Sequence, residues 1–290
     1  MQATTFIPFS LNLGGKLVEI DRPWVMGILN VTPDSFYDGG SHADATALEE
    51  HAARMAHEGA DVIDVGGYST RPGAGDVPAD EELRRVEAGV KAVRRAAPDM
   101  IISVDTFRAH VARRAIEEMG AHIINDISFG TLDKDMFATI RQLNVPYILT
   151  HSRGTPATMQ TLTHYDNGVT ATVLEEMARK IDTLRQDGVN DIIADPGFGF
   201  AKTVDDNYRL LANLDAFHTL GVPLLVGVSR KSMITRVAQC TPAEALAGTT
   251  ALHAAALLKG AHILRVHDVA AAVQARVVIS KLSSASIINT

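Results

Sequence analysis

The sequence predicts an α/β protein of the (β/α)8 TIM-barrel class. Three observations carry this. Eight short apolar runs alternate with eight segments of helical period, at a repeat of roughly 30–40 residues, and such alternation implies parallel strands. Each run ends in, or just before, a polar or charged residue suited to catalysis, and a barrel gathers all such ends at one mouth. A protein that needed only a core would have no use for Asp, Asn, Lys and Arg there, because burying them costs free energy. Barrels commonly run to about 250 residues as one domain, so 290 residues with no shift in composition read as a single domain over 1–290.

Residues 1–22 stand outside the repeat. Segment 6–13, the pair Gly14-Gly15 and segment 16–20 read as a β-hairpin expected to cap the bottom of the barrel. The first run, 24–31, brings Asn30 and leads through a Gly-, Pro- and Asp-rich loop, 32–41, to a helix over 43–58. The second, 62–65, brings Asp64; a similar loop, 67–80, joins it to a helix over 79–96. The third, 101–104, is followed by Asp105 and a helix over 108–119. The fourth, 122–127, holds Asn125 and Asp126 ahead of a helix over 134–143. The fifth, 146–149, is followed by Thr150 and His151, with a helix over 168–186. The sixth, 192–194, is followed by Asp195 and a helix over 204–220. The seventh, 223–228, leads to Ser229 and Lys231 and a helix over 242–259. The eighth, 263–266, holds Arg265 and leads to His267 and a helix over 269–279. Gly59, Gly120, Gly188, Gly221 and Gly260 follow five of these helices, where a terminating glycine belongs.

Composition narrows the function. A net charge of −7 with scattered Lys and Arg argues against a nucleic-acid surface, while leaving room for a local cationic site that holds a small anion. No apolar run approaches the roughly 20 residues of a membrane span, and no early segment has the form of a signal peptide. The single cysteine, Cys240, excludes an intrachain disulfide and fits a reducing, cytoplasmic setting. The eleven histidines suggest a metal, but most lie on helix-period segments, and no pair has zinc-ligand spacing beside a third ligand.

The strand ends continue into longer motifs. The first runs on through 26–40, MGILNVTPDSFYDGG; the second gives Asp64-Val65-Gly66-Gly67-Tyr68-Ser69-Thr70-Arg71-Pro72-Gly73. Ser103-Val104-Asp105-Thr106, Asn125-Asp126, Asp195-Pro196-Gly197-Phe198-Gly199-Phe200, Ser229-Arg230-Lys231-Ser232 and Arg265-Val266-His267-Asp268 follow in order. Together, over nearly the whole chain, these resemble the dihydropteroate synthase family. The resemblance implies condensation of 6-hydroxymethyl-7,8-dihydropterin pyrophosphate with p-aminobenzoate, giving 7,8-dihydropteroate and pyrophosphate.

The residue types suit that chemistry. One carboxylate accepts two parallel hydrogen bonds from the pterin 2-amino/N3 edge, the role the resemblance gives Asp195. Asn125 both donates and accepts beside ring nitrogens. Lys231 supplies a cationic donor to the ring carbonyl and N5, and Asp105 a second carboxylate that stabilises positive charge spreading over the pterin. Thr150 would form part of the pterin wall. Arg265 and His267 sit two apart on one strand and face the same side, which fits pyrophosphate, with Asn30, Thr70 and Arg71. Thr70, Pro72, Phe36, Phe200 and Ser232 are implied around p-aminobenzoate. Asn30 matches a position associated with Mg2+, which prefers oxygen ligands and keeps several waters. Loops 32–41 and 67–80 are long enough to be lids that close over pyrophosphate and exclude water. The resemblance also implies a homodimer through barrel helices, for which the Ala-rich segments 243–258 and 270–278 offer a close-packing face.

Several residues keep two readings. Asp64 belongs to the site or caps the following turn; Asp126 is a ligand or stands behind the ligands; His151 is functional or packs at the mouth. The chain also departs from the family pattern. Thr150 and Ser152 both stand where Met is common, Tyr68 where Glu is common and Phe129 where Gly is common. A short Thr150 is expected to loosen the pterin wall. A pterin-dependent methyltransferase barrel would share the Asp and Asn ring contacts but has no need of Thr70-Arg71, Ser229 to Ser232 or Arg265 with His267. A catalytically silent pterin-binding scaffold would not need complete loop motifs.

Overall fold

The computed structural model describes residues 6–31, 42–68 and 77–285. Two strands, β1 (Phe9–Leu13) and β2 (Lys16–Ile20), form the expected hairpin around Gly14 and Gly15, both at positive φ. Eight parallel strands follow: β3 (Trp24–Asn30), β4 (Val62–Gly66), β5 (Ile101–Asp105), β6 (Ile123–Asp126), β7 (Tyr147–Thr150), β8 (Ile192–Asp195), β9 (Leu225–Val226) and β10 (Ile263–Val266). Their order, β8-β7-β6-β5-β4-β3-β10-β9, is that of a barrel, and a parallel bridge between Ala194 and Leu224 joins its two ends. At that seam Ala194 N–H donates to Pro223 O at 2.8 Å.

Side-chain alternation sorts each strand into an inner and an outer face. Trp24, Met26, Val62, Ile123, Ile148, Ile193, Leu225 and Ile263 pack inside, together with Leu11, Leu13 and Ile20 of the hairpin. The hairpin therefore plugs the bottom of the barrel, as expected. The outer faces, among them Val25, Ile63, Val65, Ile102, Val104, Ile124 and Leu149, pack against the helices. Continuing the inner alternation upward brings polar residues, not apolar ones, to the top layer.

The helices are α1 (His42–His57), α2 (Ala79–Ala96), α3 (Ala109–Glu117), α4 (Met136–Leu143), α5 (Val169–Gln186), α6 (Val204–Ala212), α7 (Ser232–Ala238), α8 (Leu246–Leu258) and α9 (Val269–Ala285). The five terminating glycines all adopt positive φ, between 63° and 94°. Three expectations need correction. The helix expected over 204–220 ends at Ala212, because the Asn213 side chain donates to Arg209 O at 2.8 Å; a 3-10 segment, Leu214–Leu220, continues it. The seventh strand shrinks to two residues, and Pro223 at its foot has no N–H to donate. The last full helix before β10 begins at Leu246, since Glu244 accepts from Thr241 N and Oγ1 and holds 241–244 as a turn. Seven-residue α7 was too short for periodicity to reveal. Among the described residues, no helix is long and apolar enough to cross a membrane.

His253 on α8 is 1% exposed, and neither ring nitrogen has a hydrogen-bond partner among the described residues. Burial holds its pKa down at about 4. As pH falls from about 6.5 toward 4, the unfolded chain takes up a proton that the folded chain refuses, so stability is lost on acidification. His253→Leu is expected to raise the melting temperature more at pH 5 than at pH 8. Equal shifts at the two pH values would show that the ring does not titrate in this way.

Candidate active site at the barrel mouth

The top inner layer is built by strand parity. Asp64 of β4, Asp105 of β5, Asn125 of β6, Thr150 of β7, Asp195 of β8 and Arg265 of β10 all lie an even number of residues above the inward core positions of their strands. Arg265 is the hub. Its Nε donates to Asp64 Oδ2 and its Nη2 to Asp105 Oδ2, both at 2.7 Å. Asn125 Nδ2 adds a third link, to Asp64 Oδ2 at 3.0 Å. Burial opposes the Arg265 charge, but Asp64 and Asp105 outweigh it and raise its pKa. Burial also pushes the Asp105 carboxyl up to about 7, with Arg265 pulling the other way. Asp64 is thus a site residue and not a turn cap. Asp105, expected beside the pterin, and Arg265, expected on pyrophosphate, meet each other.

A second group lies across the barrel. Asp195 is 6% exposed; its Oδ1 accepts from Gly197 N at 2.8 Å, and burial raises its pKa against the pull of Lys231. Burial lowers the Lys231 pKa to about 8, with Asp195 opposing. The Lys231 ammonium donates to Phe198 O and stands 4.8 Å from the centre of the Phe200 ring. The two groups converge. A methyl placed on Gly227 would lie 3.8 Å from Lys231 Nζ, 3.9 Å from Asp195 Oδ2 and 3.9 Å from Arg265 Cβ.

Four buried polar atoms on this inner surface have no partner among the described residues: Asp64 Oδ1, Ser103 Oγ, Asn125 Oδ1 and Thr150 Oγ1. A buried polar group left unpaired costs about 1–3 kcal/mol, so a ligand that pairs these atoms recovers free energy on binding.

The rim is partly described. A methyl on Gly66 would lie 3.5 Å from Asn30 Oδ1 and 3.9 Å from Asp105 Oδ2, so these two oxygens face one another across β4. His267 is exposed, with Nδ1 3.0 Å from Ser229 Oγ. Ser232 is exposed at the start of α7. Phe36, Thr70, Arg71 and Pro72, and most of the two expected lids, lie outside the described residues.

Other readings resolve. Asp126 faces outward, where it accepts from Tyr147 OH at 2.6 Å and Ser128 N at 2.7 Å, so it stands behind the site. Tyr68 packs edge-on to Phe107 with centroids 5.0 Å apart. Phe129 takes a left-handed φ of 60°, a conformation that glycine adopts without strain. His151 is fully buried and sits in a network the sequence did not suggest: Nε2 lies 2.8 Å from Glu176 Oε2, and Nδ1 lies 3.1 Å from the ammonium of Lys202. Burial, with Lys202 next, lowers its pKa to about 4. Lys202 stands two residues beyond Phe200 of the Gly-Phe-Gly-Phe motif, but nothing in the sequence links it to β7.

Comparison with known proteins places this geometry. The family model described as "Pterin binding enzyme" matches residues 26–267. The chain is 44% identical over 273 residues to the dihydropteroate synthase of Escherichia coli (strain K12), covering 93% of this chain and 95% of the relative. A structure of Xanthomonas albilineans dihydropteroate synthase with 4-aminobenzoic acid superposes with a TM-score of 0.87 at 40% identity, covering 96% of this chain and 99% of that one. One in complex with 7,8-dihydropteroate gives 0.84 at 38% identity, covering 95% and 99%. With its pterin-type ring of inward carboxylate, amide and lysine carried on a matching barrel, this chain belongs to the dihydropteroate synthase family of pterin-binding enzymes.

Proposed function

We propose that the chain joins 6-hydroxymethyl-7,8-dihydropterin pyrophosphate to p-aminobenzoate, yielding 7,8-dihydropteroate and pyrophosphate. The observation that carries this is the inner layer itself: Asp195 and Lys231 meet beside Arg265, Arg265 is linked through Asp64 to Asn125, and Asp64, Asn125 and Thr150 of that layer keep unpaired oxygens. Asp195, held by Gly197 N–H, accepts from the pterin 2-amino/N3 edge. Asn125 Oδ1 takes a ring N–H, and Lys231 donates to the ring carbonyl and N5. The aniline nitrogen attacks the exocyclic methylene carbon, pyrophosphate leaves with the carbon–oxygen bonding pair, and the nitrogen sheds a proton. Asp105 and Asp195 stabilise positive charge on the pterin as that bond breaks. Arg265 and His267 bind the departing phosphates with Asn30, Thr70 and Arg71. Phe200, Pro72, Phe36, Thr70 and Ser232 hold p-aminobenzoate.

Mg2+ fits as a partner of the leaving group. Among the described residues no three His, Cys, Asp or Glu converge to hold a metal, so protein ligands alone do not make a cage. The Asn30 amide oxygen beside Asp105 is the donor set of an ion held chiefly by pyrophosphate and water, and such an ion would neutralise charge on the leaving oxygens. Incubation with Mg2+ and both substrates is expected to release dihydropteroate and pyrophosphate in equal amounts, inhibited competitively by a sulfonamide that mimics p-aminobenzoate. No product from folded protein would defeat the assignment.

Thr150 tunes the pterin wall. It is 1% exposed, pairs in register with Asp195, and leaves Oγ1 unpartnered where a long thioether is common. Thr150→Met fills that space and is expected to tighten pterin binding about 3- to 10-fold, roughly the effect of one or two buried methylene groups. Unchanged affinity in a direct pterin titration would dismiss this role.

We also propose a homodimer formed through the helices, acting in the cytoplasm. Val277, Val278 and Leu282 on α9 are 60%, 64% and 51% exposed, and Val278 and Leu282 share one face. Val278→Lys is expected to shift sedimentation toward monomer; an unaltered mass would place the interface elsewhere.

A further inference from the structure

The loop after β8 supplies several parts of the site. Gly197 N–H holds Asp195, Phe198 O receives the Lys231 ammonium, and the Phe200 ring faces that same ammonium. Its sequence gives it little stiffness of its own, because Gly197 and Gly199 both sit at positive φ and add no side chains. Lys202 fixes it from beneath the surface. The residue is 4% exposed, and its ammonium reaches Gly197 O at 2.9 Å, Phe200 O at 3.0 Å and His151 Nδ1 at 3.1 Å. An ammonium has three N–H donors and no acceptor; these are its three shorter contacts, and a fourth acceptor, His151 O, lies further off at 3.5 Å. The third is available because His151 Nε2 carries the proton toward Glu176 Oε2, leaving Nδ1 to accept. The approach of loop to strand is close enough that a methyl on Gly197 would fall 1.9 Å from His151 O.

We propose that Lys202 is a positioning residue for the second substrate: its ammonium fastens the loop after β8 to the end of β7, and so fixes the Phe200 ring and the Phe198 carbonyl that orients Lys231. The proposal rests on the activity argued above. It weighs more on the second substrate than on the first. Asp195 and Lys231 touch this loop through Gly197 and Phe198 but are anchored on β8 and at the start of α7, whereas Phe200 depends on this loop alone. A milder tie to the same loop, Gln160 Nε2 to Gly199 O at 3.1 Å, lies near the surface.

The test compares K202M and Q160A with the parent enzyme in three readouts: KM for p-aminobenzoate, Kd for the pterin, and amide exchange across 197–203. K202M is expected to raise KM for p-aminobenzoate about 10-fold or more, since displacing a positioned group by an ångström costs that much. Pterin Kd is expected to rise as well, through Asp195 and Lys231, but by several-fold less than that KM, and amides of 197–203 to exchange faster while those of β3 to β5 do not. Q160A is expected to move the same readouts in the same direction by less. Parallel loss of both substrates with exchange rising throughout the barrel would overturn the proposal, as would unchanged exchange in the loop. Should K202M fail to fold, Q160A decides: a normal KM and normal loop exchange would overturn it. Exchange needs no turnover, so a parent chain that made no dihydropteroate would sink the activity while the Lys202 tie stood or fell on exchange alone.

Discussion

A guanidinium held between two carboxylates organises this molecule. Arg265 enters the barrel from the last strand and bonds to Asp64 on the second and Asp105 on the third. Removing Arg265 would leave two carboxylates uncompensated inside the ring of strands, and loss of a buried charge's partner typically costs about 3–5 kcal/mol. The same pairing sets the state of the site before substrate arrives. Asp105 is pushed toward neutrality by burial and pulled back by Arg265, so its charge depends on that guanidinium staying beside it.

The polar layer can exist only because the layers beneath it are dry. The hairpin seals the bottom with Leu11, Leu13 and Ile20, and the inward isoleucines of β6, β7, β8 and β10 fill the centre. The unpaired oxygens of Asp64, Asn125 and Thr150 then belong to the polar layer directly above that core. A planar heterocycle can rest on such a floor without reaching the core, and its hydrogen-bonding edge selects the strands it touches. Specificity for a pterin and tolerance of a broad barrel scaffold come from different layers of the same strands.

Much of this was legible in the sequence for a physical reason. Asp195 and Arg265 stand out because a charge directly after or within Ile-Ile-Ala and Ile-Leu has no cheap structural use. Period-two alternation decides between neighbours such as Asn125 and Asp126, but only once the inward face is known; it was the family resemblance, and not the pattern, that singled out Asn125. The Arg265–Asp64 bond joins residues 201 positions apart, and no local pattern announces it. Lys202 and Glu176 were hidden for the same reason, since each reads locally as an ordinary charge near a helix. The early end of α6 escaped the sequence because a side-chain hydrogen bond, and not apolar spacing, sets it, and α7 because seven residues are too few to show a period.

The barrel closes at its thinnest point. Between β8 and the two-residue β9 a lone bridge does what a ladder does elsewhere, and Asp195 and Lys231 sit just above its two sides. Breathing of the cylinder should begin at this slit, so the grip on the first substrate would slacken while most of the wall stayed intact. Heat or denaturant would then silence the enzyme before it melted the protein, and whatever bridges the slit from inside, the bound heterocycle included, acts as a clasp for the whole ring.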